Sequence, residues 1–396
     1  MKNQNRVKFI LFLIVTSTIG QMAAEIYIPS LPFITHDFHA TARTTELSVA
    51  VFLFGMGILG IFFGYISDFL GRRRVLITAT TISFIGTLLC AFAPNIWILI
   101  LGRFIQGMGF SGVGSLSRAI MRDKMSGKEL AKFSSRLGMI LTIVIDISPF
   151  IGSFFQVWWG WRSIFCMLLA YNMLAIYMSW RYKDEGVIEH EEHFSLKNLI
   201  INSVDVLKNR EFLRYNLLSS CTYAIMMSYI TVASFLFEKE LGLTPIEFGA
   251  TTFGLTFTYV FGSFLNSKLL KRFSMDRLMG KGILLMWVSA VILLFMGSLF
   301  PLSYIGLLSF VCVMYIGCGL LYANSSASAF TAINKSVGSA SALYSCMQVL
   351  IGAIFSTIIS LFHPTTTLPL AGVVAVIAFL MTLIAFSHRK GSRNEK

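Results

Sequence analysis

The sequence predicts an all-α integral membrane protein of twelve transmembrane helices, arranged as two six-helix pseudo-symmetric halves. Three observations lead there. Of 396 residues, 56% are hydrophobic and only 13% are charged, with a mean hydropathy of +0.74, whereas a soluble domain carries about 25% charged residues. The apolar residues fall into twelve runs, most near the ~20 residues that a helix needs to cross a bilayer. The basic residues sort by side. With both termini placed inside, 28 of the 32 Lys and Arg lie on the inner side and three (Arg43, Arg162 and Lys239) on the outer, the asymmetry that orients membrane proteins. The net charge of +13 therefore reports orientation. No polar domain large enough to hold nucleic acid is present.

In order, the expected spans are 7–28, 47–67, 75–93, 96–117, 135–157, 164–180, 212–237, 248–269, 279–299, 302–323, 340–362 and 368–386. The first follows Lys2, Arg6 and Lys8 and mimics a secretory leader, but it is long and eleven spans follow, so it is expected to be retained. Pro29 and Pro32 should end or bend it. Spans two and three are joined by Gly64-Tyr-Ile-Ser-Asp68-Phe-Leu-Gly71-Arg72-Arg73-Arg74. There two glycines let helices approach and the chain reverse. Asp68 needs a partner at the membrane edge, and the arginines hold the turn inside. Span four carries Arg103 and Gln106, with Gly107, Gly109, Gly112 and Gly114 forming a small-residue packing side. Residues 183–211 are the one long polar segment. His190 and His193 there fit a solvated cytoplasmic linker better than a metal site, and its later part, 196–210, suits a surface helix. The linker divides an N-terminal half, 1–182, from a C-terminal half with a short cytoplasmic tail, 212–396. Gly64 and Asp68 recur as Gly262 and Asn266, 198 positions on. The six cysteines lie in apolar runs and read as packing residues.

Charges inside spans are costly and mark function by default. Glu25 lies seven residues before Pro32 and Arg103 eight after Asn95, which puts both roughly 10–12 Å below the outer surface at the helical rise. The expectation is that Glu25 couples protons and Arg103 tunes it. A static buried pair, or a Glu25 reaching outer water, is the alternative. Asp146, mid-span, is either bonded to neighbouring helix groups or takes part in proton or substrate binding. Tyr27 and Gln106, with Tyr223, Met226 and Met227 of span seven, are candidates for an adaptable substrate cavity. Asp123, with Arg122 in Ser117-Arg118-Ala-Ile-Met-Arg122-Asp123, is placed to pair with an arginine of the 72–74 turn. That pair is either a latch on an inner gate or a static surface contact.

The 64–74 stretch resembles the loop signature of the major facilitator superfamily, with Ile66 and Phe69 as departures. Ala24-Glu25-Ile-Tyr27-Ile-Pro29-Ser-Leu-Pro32, Arg118-Ala-Ile-Met-Arg122-Asp123, and Arg103 with Gln106, Gly107 and Gly109 together resemble its bicyclomycin-resistance (Bcr/CflA) branch of drug:proton antiporters, in which Asp stands where this chain has Glu25. The resemblance implies the major facilitator fold, a substrate path between the halves, and a latch at Gly64, Asp68, Gly71, Arg72, Arg73, Arg122 and Asp123. The helix-five antiporter motif keeps only Pro149 and Gly152, and Ile145-Asp146 replaces its first proline region, which weakens the implied drug specificity.

The expected function is proton-coupled secondary transport, chiefly efflux of drugs or small hydrophobic or cationic metabolites by alternating access. A dedicated carrier for one polar metabolite, such as a siderophore or amino-acid derivative, is the alternative. A non-transporting sensor or scaffold has no need of the Glu25/Arg103 pair. No nucleophile triad or Walker loop is visible, so neither an enzyme nor an ATP-driven pump is expected. The expected partners are a small-molecule substrate, protons and the lipid bilayer of a bacterial inner membrane, in which the chain works as a monomer without metal or cofactor.

Overall fold

The computed structural model describes residues 3–125, 127–182, 196–300, 303–333, 337–362 and 366–386. The polar linker 183–195, with His190 and His193, lies outside the described residues, as do Lys335 and the basic tail after 386.

The first span is α1 (Asn3–Glu25). Pro29 and Pro32 have no N–H to offer the carbonyls four residues back, so the helix cannot continue. A 3₁₀ turn (Ile28–Ser30) and the short α2 (Leu31–Asp37) carry the chain on. Then follow α3 (Ala42–Leu70), α4 (Arg72–Ala91), α5 (Ile96–Lys124), α6 (Gly127–Trp159) and α7 (Trp161–Arg181). The expected surface helix is α8 (Leu196–Lys208). Next come α9 (Arg210–Ser234), extended by a π turn (Phe235–Glu240), then α10 (Pro245–Leu269), α11 (Met275–Leu299), α12 (Tyr304–Thr331), α13 (Val337–Leu361) and α14 (Leu368–Phe386). Eleven helices among the described residues are long and apolar enough to cross a membrane. The eighth expected span, α10, is helical for 25 residues, but its threonines and glycines dilute its hydropathy.

By contact the chain forms two compact units: Met1–Ala40 with Val51–Leu199, and Thr41–Ala50 with Ile200–Lys396. In the first unit α4 and α5 touch backbone to backbone. A Cβ at Gly86 would strike the Gln106 backbone, and one at Gly109 would strike Ser83. Gly107 meets the Phe52 carbonyl of α3, and Gly152 of α6 meets the Ile26 carbonyl beyond α1. Such contacts supply the dispersion that holds helices together where lipid removes the hydrophobic drive. Gly114 does not share the packing role expected of it, since its nearest neighbour is the tip of Arg118 at 3.9 Å. In the second unit Gly262 of α10 lies against Ile316 and Gly319 of α12. Asn266, at the repeat position of Asp68, accepts from Asn324 Nδ2 at 2.7 Å.

Leu70 ends α3 and Arg72 begins α4, so one residue makes the reversal. Gly71 does so with φ +87°, a conformation that costs an L-residue with a Cβ about 1–2 kcal/mol. Gly64 differs from the expected close approach: a Cβ there would meet nothing within 4 Å. Gly71→Ala should therefore lower stability by about 1–2 kcal/mol, whereas Gly64→Ala should change it by less than about 0.5 kcal/mol. Thermal unfolding of the two variants in detergent checks this contrast.

Candidate functional site

The centre of the first unit is the guanidinium of Arg103, which is 0% exposed. It is clamped between the rings of Tyr27 and Phe52, at 4.1 and 3.9 Å from their centroids, a favourable stacking for a desolvated cation. Its Nη1 donates to the Ala23 carbonyl at 2.9 Å and to Gln106 Oε1 at 2.6 Å. Ala23 lies in the last turn of α1, whose carbonyls lack helical donors, so Arg103 caps the helix where the prolines end it. The network runs on. Gln106 Nε2 donates to Thr87 Oγ1 at 2.9 Å, Asn172 Nδ2 donates to the same oxygen at 3.2 Å, and Ser83 Oγ donates to Asn172 Oδ1 at 2.7 Å. One chain of polar groups thus ties α1, α5, α4 and α7.

Several expectations need correction. Arg103 makes no ion pair with Glu25 within 4 Å; its contacts are the rings, a carbonyl and an amide, and its Nε and Nη2 have no hydrogen-bond partner. Glu25 is buried, and the charge that reaches it is that of Asp146 on α6, brought near because Gly152 lets α6 close on the broken end of α1. Gln106 and Tyr27 are fully buried. Both are packed against the Arg103 guanidinium, Tyr27 by its ring and Gln106 by its amide oxygen. Met227 is likewise buried against the Gly352 side of α13, while Tyr223 and Met226 remain partly accessible.

Residues outside the sequence-based selection also matter. Glu46 of α3 is fully buried and Glu238, in the π turn after α9, nearly so; neither carboxyl has a hydrogen-bond partner. Both fall one residue outside the expected spans, 47–67 and 212–237. In the second unit an uncharged cluster joins three helices. Tyr322 Oη donates to Gln348 Oε1 at 3.2 Å, Gln348 Nε2 donates to Ser219 Oγ at 3.0 Å, and Ser219 bonds the Tyr344 hydroxyl. Tyr223 and Tyr259 lie within electrostatic reach of Tyr322. The spacing of Tyr344 and Gln348, one turn apart in an apolar run, was the available signal.

At the other end of the first unit Arg72 joins two acids. Its Nη1 lies 2.5 Å from Asp68 Oδ1 and its Nε donates to Asp123 Oδ2 at 2.9 Å; Nη1 also donates to Ser67 Oγ at 2.5 Å. The arginine side chain is 19% exposed against 47% for Asp123, so α3, α4 and α5 are pinned by a half-buried cation. Arg73 Nη2 donates to the Trp180 carbonyl at 2.7 Å, capping α7. Arg122, expected in the latch, is exposed, and no hydrogen bond or ion pair among the described residues includes it.

A multi-pass α-helical membrane protein with buried carboxylates and a buried arginine in its spans is the architecture of a secondary transporter. The chain belongs to the Major Facilitator Superfamily, whose profile matches residues 13–357. It is 28% identical to a Bacillus subtilis protein described as an uncharacterized MFS-type transporter, over 94% of this chain and 93% of that one. It is 23% identical to a bicyclomycin resistance protein homolog of Haemophilus influenzae, over 97% of this chain and 98% of that one. A solved D-xylose-proton symporter shares the fold, with a TM-score of 0.72 at 14% identity over 95% of this chain and 97% of that one.

Thr87→Val keeps the side-chain volume but strands the amide donors of Gln106 and Asn172. It should cost about 1–3 kcal/mol, read as a lowered unfolding temperature in detergent.

Proposed function

We propose that this chain is a proton-coupled efflux transporter of the bacterial inner membrane, with both termini cytoplasmic, that exchanges protons for drugs or small hydrophobic or cationic metabolites by alternating access. It acts as a monomer and requires no metal or cofactor beyond the coupling proton. The observation that carries this reading is the Glu25 carboxyl: buried inside a span, free of any hydrogen bond or ion pair among the described residues, and within reach of the Asp146 charge. Two carboxyl groups that act on one another disfavour carrying both charges at once, and Glu25, buried while Asp146 is only part-buried, can exchange its proton with whichever side wets it. The names of relatives such as the bicyclomycin resistance protein homolog support export of drug-like molecules. The part-accessible Tyr223 and Met226 offer the aromatic and polarizable surface that varied apolar ligands need.

Arg103 acts here as the positioning group. By holding the end of α1 through Ala23 and Tyr27, it keeps Glu25 beside α6. Arg72, bridging Asp68 and Asp123, is the latch whose release accompanies opening of the inner side.

Inverted vesicles with an imposed proton gradient test the reading. Several unrelated cationic dyes or antibiotics should dissipate the gradient in the wild type and fail to do so in Glu25→Gln. Intact coupling in that variant removes Glu25 from the mechanism, and a response to one polar metabolite alone replaces the multidrug assignment. Arg72→Gln should lower the transport rate at least about tenfold, although ion pairs to acids that reach water contribute only about 0–1 kcal/mol each. Comparing transport with unfolding temperature separates these effects.

A further inference from the structure

Where α9 and α11 begin and α14 ends, a cavity of about 570 Å³ opens in the second unit. Its rim is charged and its wall is apolar. Arg214, Arg277 and Lys281 line it together with one carboxylate, Asp276, and that carboxylate already accepts the Tyr215 hydroxyl at 3.2 Å. Arg214 reaches the Ala385 carbonyl of α14 at 3.2 Å through Nη2, while its Nε is buried without a hydrogen-bond partner. Lys281 lies over the Phe273 ring at 3.9 Å. Arg277 and Lys281 are otherwise exposed.

The site has further anion-binding capacity. The first N–H groups of α11 lack helical acceptors, and no side chain caps them from Ser274. A helix start beside three cations favours a phosphate-type group. Leu284, deeper along α11, and Phe386, the last residue of α14, line the cavity and are 62% and 57% exposed. In a membrane that exposure faces acyl chains. A soluble anion would use only the rim. A charged rim at the helix ends with an apolar trough opening to lipid has the depth profile of a phospholipid. Basic recesses between transmembrane helices bind acidic lipid head groups for this reason.

We propose that this cavity is a binding site for an anionic phospholipid. Its phosphate is held by Arg214, Arg277 and Lys281, and an acyl chain lies along Leu284 and Phe386. The site is separate from the proton-coupling residues, so it stands independently of the transport reading.

Native mass spectrometry of the detergent-purified protein titrated with phosphatidylglycerol or phosphatidylcholine tests it. The wild type should retain phosphatidylglycerol preferentially. The Arg277→Gln, Lys281→Gln double variant, which removes two exposed cations and leaves the Arg214 cap in place, should bind it about thirtyfold more weakly. If the pair does not fold, Lys281→Gln alone repeats the test with an expected loss of about fivefold. Equal retention of both lipids by the wild type, or unchanged phosphatidylglycerol binding in the variants, overturns the proposal. So does displacement of the lipid by millimolar inorganic phosphate as effective as displacement by phosphatidylglycerol itself, which would mark a simple anion site.

Discussion

The first unit depends on how it accommodates one buried cation. Among the described residues Arg103 forms no ion pair with a carboxylate within 4 Å, and an uncompensated charge in a low-dielectric interior is among the costliest things a fold can contain. The compensation comes in pieces. Two aromatic faces supply quadrupole attraction, a helix-terminal carbonyl supplies a dipole, and an amide passes the polarity on to Thr87 and Asn172. The pieces come from the end of α1, from α3 and from α5 itself, and the amide carries the network to α4 and α7. Holding the guanidinium therefore fixes α1, α3, α4, α5 and α7 together, and the glycines at 86, 107 and 109 are required because only bare backbones let these groups come close enough.

The same arrangement explains where the acids sit. The prolines break α1 after Glu25, and Arg103 holds the broken end by the Ala23 carbonyl two residues earlier. Gly152 then allows α6 against Ile26, which brings Asp146 into electrostatic range of Glu25. A cation that bonded Glu25 directly would lock it as a carboxylate. A cation spent on rings, a carbonyl and an amide leaves the buried Glu25 carboxyl without a cationic partner among the described residues. At the opposite end Arg72 does the reverse, a mostly buried cation pairing with two acids that themselves reach water.

Local chemistry made much of this legible. The proline pair forecast the break in α1, the small residues of α5 forecast close packing, and the acid–base content of 64–74 and 118–123 forecast an ion pair, which Arg72 and Asp123 form. Glu46 and Glu238 escaped for a definite reason. The apolar runs end next to these two acids, but a helix continues as long as its backbone can bond, so α3 begins at Ala42 and the turn after α9 runs to Glu240. Charge marks where a span is polar and does not mark where the helix ends. Gln106 and Tyr27 were open for a related reason: a polar side chain in an apolar segment suits a ligand cavity and a buried network equally well.

By itself the sequence determined the membrane-spanning class, the order of the helices, their turns and the family, because hydropathy, proline, glycine and the basic residues act locally along the chain. Only the tertiary structure decided partners. Whether Arg103 meets Glu25 or two rings, whether Gly64 or Gly262 carries a close contact, and which arginine takes Asp123 all depend on which faces of distant helices meet. That is set by backbone approach in three dimensions, which spacing along one helix does not encode.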